Sequence, residues 1–295
     1  MANHFFVPRS SLIFWGKKNC FSEDGESVYN PFSVLNTLAK HKYGAYWFAT
    51  GTPTYLIKQF MHGDLDLQEL RQGVEITSAS IADYRPGGGG NVAALFYQSG
   101  YLTIGGYDKK TGLYKLVFPN EEVRFGFFNE LLPYYTSPYK DVNNSFQISR
   151  FFVALRDSKV DDFMEMLIAL FESIPYDIQN KNEKYYQGLF YMFFTLMGQF
   201  TQSEQKSAHG RACAVVKTDS AIYVFEFKFS TDKKKHTALE ALKQIDTKGY
   251  LIPFTADKRK LVKIGVVFSD KNMGKWKAVE SKVKAKAVVA QRKKT

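Results

Sequence analysis

The sequence predicts an α/β protein whose C-terminal half forms a mixed β-sheet flanked by helices, preceded by a helical region with the outline of a winged helix. Three observations lead to this prediction. Residues 221–229 alternate with a period of two and carry aromatic side chains at the odd positions from Tyr223. Asp219-Ser220 is a plausible two-residue turn ahead of them, which predicts an antiparallel hairpin. Helical patterns at about 182–196 and 235–247, with a further strand at 260–268, supply the flanking layers.

The first part of the chain reads as mixed helix and strand. Asn30-Pro31 predicts a helix through Leu38, and Thr52-Pro53 predicts another that Gly63 can end. The remaining expectations, in order, are a short strand at 45–50, a loop at 85–91, a helix near 92–99, strands from Tyr101 and Leu113 joined by a turn at 108–112, and a helix after Pro119-Asn120. A helix followed by a hairpin is the outline of a winged helix, here at about 91–133.

A domain boundary is expected around 139–144. Beyond it, Ser158-x-x-Asp161 is typical of a capping box that begins an apolar helix. A last strand is predicted near 276–279.

Length and composition restrict the class of protein. A chain of 295 residues is long enough for two domains, and 45% hydrophobic with 16% aromatic content excludes a disordered protein. Two distant cysteines offer neither a disulfide framework nor zinc spacing, which indicates a cytoplasmic protein. Pro8 and Arg9 break the apolar core that a signal peptide needs. The most apolar run, 189–200, is shorter than a membrane span, so no membrane association is expected.

The net charge of +11 is unevenly distributed along the chain. Residues 201–295 hold 22 basic and 9 acidic side chains, a balance of +13, whereas the first 200 hold 18 and 20, a balance of −2. Basic charge concentrated in the C-terminal part fits a nucleic-acid backbone as partner. The alternative is that much of it belongs to a solvated Lys-rich tail at 282–294.

The predicted hairpin places a charged pair on an otherwise apolar strand. Glu226 and Lys228 are two residues apart and share a face, and the turn places position 213 directly opposite Glu226, with Cβ atoms about 5 Å apart. Hydrolysis of a phosphodiester uses a hard cation held by carboxylates and a lysine near the developing charge. Cys213 occupies the position where a second carboxylate is needed, and a thiol is a poor ligand for Mg²⁺.

Several stretches together resemble the PD-(D/E)XK nuclease superfamily. In order they are Asn182 to Tyr186, Ser203-Glu204, Gly210-Arg211, Tyr223 to Lys228, Gln244 with Lys248-Gly249-Tyr250, and Ile264 to Ser269. More narrowly, the chain resembles bacterial proteins in which such a nuclease domain follows an AAA-ATPase-like region. The upstream stretches that look like this region are Phe21 to Asp24, Tyr29 to Leu35, Tyr46 to Gly51, Ser99 to Ile104 and Pro119 to Val123.

The resemblance implies a domain organisation. Residues 1–143 correspond to the C-terminal part of an AAA-ATPase-like region, residues 144–280 to a restriction-endonuclease-like nuclease domain, and 281–295 to a basic tail. The family core runs helix, three strands, helix, strand, and the sequence places all of these except one of the first three strands. No P-loop is present, because Gly16-Lys17 lacks the upstream glycine and the following hydroxyl. No ATP site is therefore expected in this chain. Because proteins of this kind usually carry an ATP-binding half ahead of this region, the chain is expected to be a fragment or a shortened form.

The resemblance also implies the site residues and the metal. Glu183, Glu226 and Cys213, at the position of the family aspartate, correspond to metal-site positions for Mg²⁺ or Mn²⁺, and Glu226, Lys228 and Gln244 correspond to catalytic positions. The family usually reads Gly-Arg-x-Asp where this chain reads Gly-Arg-Ala-Cys at 210–213. Structural alternatives stay open: Glu183 complements a helix dipole, Lys228 snorkels from a strand end, and Gln244 is a polar surface residue of a helix.

The implied function is metal-dependent hydrolysis of DNA phosphodiesters, impaired by Cys213. The alternative is a non-catalytic module that binds nucleic acid, or a protein partner through the winged-helix-like region.

Overall fold

A computed structural model of the chain describes residues 31–41, 46, 53–83, 90–135, 144–172, 174, 183–198, 202–208, 211–231, 235–269 and 273–280. The chain divides into two compact units, residues 1–135 and 136–295. The predicted boundary at 139–144 and the predicted loop at 85–91 fall mostly outside the described residues, as does the predicted strand at 45–50 apart from Tyr46. No helix in the described ranges is long and apolar enough to cross a membrane.

The first unit combines helices with a three-stranded antiparallel sheet. Its elements are α1 (Pro31–Lys40), α2 (Thr54–His62), α3 (Leu67–Gln72), β1 (Val74–Thr77), α4 (Ser78–Ile81), α5 (Val92–Gln98), β2 (Thr103–Asp108), β3 (Leu113–Val117) and α6 (Glu121–Tyr135). The sheet order is β1-β3-β2. The predicted helices at 31, 54, 92 and 121 and the hairpin of β2 and β3 are confirmed.

The sequence did not predict α3, β1 or α4, which are short. A capping box between Asp66 and Glu69 begins α3, and Gly73, with φ of 90°, ends it and turns the chain into β1. The core of this unit is aromatic: the Phe96 ring packs edge-on against Phe127 at 5.1 Å. Helix α5 and the hairpin of β2 and β3 are the elements that suggest a winged helix, and β1 adds a strand beside β3. The winged-helix assignment itself stays a prediction.

The second unit is a five-stranded mixed sheet between helices. Its elements are α7 (Asn144–Arg156), α8 (Val160–Glu172), α9 (Glu183–Met197), β4 (Gln202–Ala208), β5 (Arg211–Lys217), β6 (Ala221–Ser230), α10 (Ala238–Thr247), a 3₁₀ turn (Ile252–Phe254), β7 (Lys260–Ser269) and β8 (Met273–Glu280). The strands lie in chain order, and β6 and β7 are parallel whereas the other neighbours are antiparallel. The predicted mixed sheet flanked by helices is confirmed.

One prediction about this unit needs correction, and two of its elements, α7 and β4, were not predicted. Ser158 does not begin α8, because its φ of 60° places it in the left-handed region, where its N–H donates to the Leu155 carbonyl at 3.1 Å and closes α7. The strand that the sequence did not place is β4. Its sequence, Gln202 to Ala208, is almost wholly polar and so lacks the apolar alternation by which strands are recognised.

The aromatic face of β6 packs against α8 and α9. The Phe227 ring stacks on Phe190 with centroids 4.1 Å apart, and Phe225 contacts Phe194 at 5.3 Å and Phe163 at 5.5 Å. These large buried rings form the core between the sheet and the two helices.

The opposite face of the sheet packs against α10. Its apolar cluster consists of Val215, Ile222, Val224, Leu242, Ile245, Leu251, Phe254 and Leu261. The even-numbered residues of β6 therefore face α10, and this is the face that carries the charged residues of the candidate site.

Candidate active site

The hairpin of β5 and β6 has the register that the sequence predicts. Cys213 pairs with Glu226 and Lys217 with Ile222, so Asp219-Ser220 forms the two-residue turn. The Thr218 N–H donates to the Ala221 carbonyl at 2.9 Å, and the Thr218 hydroxyl accepts from the Ala221 N–H at 3.1 Å. These two hydrogen bonds join the residues on either side of the turn and close it, which disfavours a slip of the register. Position 213 is consequently fixed directly opposite Glu226.

Glu226 and Lys228 are charged residues in a buried strand. The exposed fraction is 0% for Glu226 and 8% for Lys228. They are two residues apart on β6, about 7 Å along the strand, and share the face that packs against α10. Withdrawing a carboxylate or an ammonium from water costs several kcal/mol unless ion pairs or hydrogen bonds offset it. Two such groups side by side in a buried strand therefore indicate a functional site and not a role in core packing.

Helix α10 supplies the partner of Lys228. The Lys228 Nζ donates a hydrogen bond to the Gln244 Oε1. The charge of the ammonium is unchanged by this neutral partner, but one of its three donors is fixed in direction. Lys228 is thus held by a second element of the fold instead of extending freely from the end of its strand.

A glycine allows α10 to lie this close to the sheet. Gly265 of β7 is in register with Glu226, and a Cβ at that position would lie 2.3 Å from the Ala238 carbonyl oxygen and 3.0 Å from the Ala241 Cβ. Any side chain at 265 would push the helix outward. The position of Gln244 over Lys228 therefore depends on Gly265.

A second set of polar contacts fixes the start of α10. The Thr237 hydroxyl accepts from the Glu240 N–H, and the Glu240 carboxylate accepts from the Thr237 N–H at 3.3 Å, which forms a capping box. The Nδ1 atom of the His236 ring lies 2.9 Å from the Glu240 Oε2. The backbone N–H of His236 donates to the Ser230 hydroxyl at 3.0 Å. The hydrogen bond from His236, followed by that from the Thr237 N–H, lowers the pKa of Glu240, with a smaller contribution from the charge of Lys228.

The sequence reading did not single out His236 or Glu240. The signal that was available is the Thr237-x-x-Glu240 capping box, which identifies where α10 begins. The proximity of Glu240 to Lys228 depends on the packing of α10 on the sheet and has no signature in the sequence.

Glu183 lies in a different environment. It is the first residue of α9, its side chain is exposed, and its Oε1 accepts a hydrogen bond from the Gln187 Nε2 at 3.0 Å. Helix α9 packs against the aromatic face of β6, opposite to the face of Glu226. The structure therefore brings together Glu226, Lys228 and Gln244, with position 213 opposite Glu226, and it places Glu183 on the helix layer of the other face.

The donor atoms fit a divalent cation poorly. Glu226 offers one buried carboxylate, and the residue paired with it on β5 is a cysteine, which has no hard oxygen ligand to add. Within the part of the chain that the structure describes, no three His, Cys, Asp or Glu side chains cluster as a metal site. The set as it stands does not fit a tightly held Mg²⁺.

Comparison with known proteins identifies the domain that contains this site. Residues 181–277, from the start of α9 into β8, match the PD-(D/E)XK nuclease superfamily. The chain is also 32% identical over 272 residues to a curated protein of Azotobacter chroococcum mcd 1, described as an uncharacterized protein in the vnfD 5' region. That alignment covers 89% of this chain and 51% of the relative, so the chain spans about half the length of that relative. Residues 181–277 therefore form a PD-(D/E)XK nuclease superfamily domain, with Glu226 and Lys228 on the central strand of its sheet.

Proposed function

We propose that this chain is a DNA phosphodiesterase of the PD-(D/E)XK family whose turnover is impaired because Cys213 replaces a metal-ligand aspartate. The observation that carries the proposal is the register of β5 and β6, which sets Cys213 opposite the fully buried Glu226. A cation held from two strands needs a hard oxygen ligand on each, and this hairpin has one. On the same face, Lys228 is held by a hydrogen bond to Gln244.

The roles of the individual residues follow from their chemistry. Glu226 is the carboxylate ligand that the present site retains. Lys228 is a compact positive charge that stabilises the negative charge developing on a phosphate or steadies an attacking water. Gln244 positions Lys228 through its side-chain oxygen. Glu183, at the start of α9, is proposed to complete the ligand set only by resemblance to the family.

Cleavage of a supercoiled plasmid tests the proposal. The parent protein and a Cys213→Asp variant are incubated with Mg²⁺ or Mn²⁺, each with an EDTA control. We expect nicking to appear or to rise greatly in Cys213→Asp, since the substitution restores the second oxygen ligand opposite Glu226. Cys213→Asn is the matched control, because asparagine has the shape of aspartate without its charge. We expect that it does not restore cleavage.

A second substitution assigns the cleavage to this site. Glu226→Gln in the Cys213→Asp background should abolish the gain. Equal cleavage by the parent and Cys213→Asp that survives Glu226→Gln would place the chemistry elsewhere. Calorimetric titration with Mn²⁺ supplies a readout independent of turnover: heat of binding should appear in Cys213→Asp and be lost with Glu226→Gln.

The alternative function is a binding module without catalysis. The same register of β5 and β6 favours it, since a fold that keeps Lys228 and lacks one metal ligand can still hold nucleic acid. Cys213→Asp that binds Mn²⁺ and DNA but does not cleave would support this alternative. The association with an AAA-ATPase-like region, and a protein partner for the winged-helix-like region at about 91–133, are part of the proposal by resemblance alone.

A further inference from the structure

Strand β8 carries two lysines on the face of the sheet that holds the candidate site. Val267 pairs with Lys228 on one side and with Lys275 on the other, and Gly265 pairs in the same way with Glu226 and Lys277. Residues opposite one another across neighbouring strands point to the same face. Lys275 and Lys277 are exposed, whereas Trp276 between them is partly buried. The two lysines therefore form an exposed row on the face of Glu226 and Lys228; it is called the lysine row below.

The spacing of the lysine row suits a nucleic-acid backbone. Neighbouring strands lie about 4.8 Å apart, so β8 is about 10 Å from β6, across β7. Along β8 the two lysines are about 6.8 Å apart, and each strand of a duplex carries one phosphate for about every 3.4 Å of helix axis. A strand of DNA lying along the lysine row would thus have phosphates within reach of both ammonium groups. These phosphates would lie near β8, about 10 Å from the site on β6.

The acidic residues nearby do not neutralise the lysine row. Helix α10 contains two acidic residues, Glu240 and Asp246. Asp246 is engaged by Lys263, whose Nζ lies 2.9 and 3.0 Å from the two carboxylate oxygens, and Glu240 is engaged by His236. Within the described residues, no ion pair involves Lys275 or Lys277.

Positive charge continues beyond β8. Residues 281–295 contain six basic and no acidic side chains, so the chain leaves the lysine row as a basic segment. The sheet ends at β8, which is an edge strand, and lysines also protect such edges against pairing with other chains. Edge protection does not require the lysines to share the face of the site, whereas contact with a substrate does.

We propose that the lysine row binds the phosphate backbone of duplex DNA and aligns the DNA with the site on β6. The choice of DNA as ligand rests on the proposed function; the phosphate chemistry rests on the row itself. The row acts on binding and not on the chemical step, because its lysines lie two strands away from Glu226 and Lys228.

The test is the affinity for a fluorescein-labelled 20-base-pair duplex, measured by anisotropy in EDTA over a range of salt concentrations. The variant is Lys275→Gln/Lys277→Gln, which removes both charges and keeps the edge strand polar. The matched control is Lys258→Gln/Lys260→Gln, because these lysines are also exposed and lie on or beside the same sheet, at the far end of β7. The slope of log K against log salt should become shallower by about 1.8 in the row variant, since each phosphate contact contributes about 0.9.

The outcomes separate the possibilities. Weaker binding with the shallower slope in the row variant, an unchanged slope in the control, and recovery by Lys275→Arg/Lys277→Arg support the lysine row. Equal losses in the two double variants would overturn it and indicate general charge attraction. Unchanged DNA binding together with self-association of the row variant on size exclusion would overturn it in favour of edge protection. Because EDTA removes metal, the result is independent of cleavage: failure of Cys213→Asp to cleave would sink the proposed hydrolysis and leave the lysine row standing.

Discussion

Gly265 of β7 and Ala238 of α10 are in such close contact that a Cβ on the glycine would lie 2.3 Å from the alanine carbonyl oxygen. The atom that would be struck belongs to the backbone, which cannot move aside as a side-chain tip can. The same glycine is in register with Glu226, so the contact sets the height of α10 above the candidate site.

Gly265→Ala should destabilise the second unit by about 1–3 kcal/mol, because the added methyl group forces α10 away from the sheet. Urea unfolding followed by circular dichroism measures the change in the free energy of unfolding. Gly106→Ala is the control, since a Cβ at that position meets nothing within 4 Å, and we expect a change within about 0.5 kcal/mol. Equal effects of the two substitutions would show that the close packing of α10 is not what Gly265 provides.

Substitutions of Lys228 and Gln244 should separate charge from positioning. In the Cys213→Asp background, Lys228→Ala is expected to abolish the restored cleavage, because it removes the positive charge near the phosphate. Gln244→Ala should lower kcat by about 10-fold or more and leave DNA affinity unchanged, since Lys228 keeps its charge and loses the hydrogen bond to Gln244 that fixes its direction. Steady-state cleavage at saturating DNA measures kcat, and anisotropy in EDTA measures affinity. Loss of affinity without change in kcat on Gln244→Ala would contradict a positioning role.

Tyr223→Phe should lower the free energy of unfolding by about 0.5–1.5 kcal/mol. The Tyr223 hydroxyl is buried and donates to the Leu155 carbonyl at 2.7 Å, which ties β6 to the end of α7. The same burial raises the pKa of the phenol, so the hydroxyl stays a donor over the working range of pH. Tyr107→Phe, on the exposed part of β2, is the control and should change the free energy of unfolding by less than about 0.5 kcal/mol. An equal loss in both variants would argue against a role for the Leu155 hydrogen bond.

The contribution of Glu240 to stability should depend on pH. Its pKa in the folded protein lies below the ordinary value of about 4.3 because His236 and the Thr237 N–H donate hydrogen bonds to the carboxylate. A depressed folded-state pKa stabilises the protein above the unfolded-state pKa, and this stabilisation is lost as the pH falls through the folded-state pKa. The difference in Tm between the parent and Glu240→Gln should therefore be present at about pH 6 and shrink as the pH falls below about 4. A difference that stayed constant over this range would assign the effect to side-chain shape.

Local patterns in the sequence contain much of the fold. The period of two from Tyr223 onward and the Asp219-Ser220 turn are short-range features, and together they predict that position 213 lies opposite Glu226, as the structure has it. The helices α9 and α10 and the strand β7 are predicted close to their observed bounds because each has a strong apolar period. The polar strand β4 could not be read in the same way, since it becomes a strand by pairing with β5.

The relations within the candidate site likewise divide into local ones, which the sequence predicts, and long-range ones, which it does not. Alternation along β6 and the length of the turn are enough to predict that Glu226 and Lys228 share one face of one strand and that position 213 lies opposite the glutamate. Packing between distant segments brings Gln244 to Lys228 and lets α10 approach the sheet at Gly265. It also places Glu183 in the other helix layer and the lysine row on the face of the site residues. These relations join segments distant in the chain, and they exist because the parallel pairing of β6 with β7 and the crossover through α10 set their register.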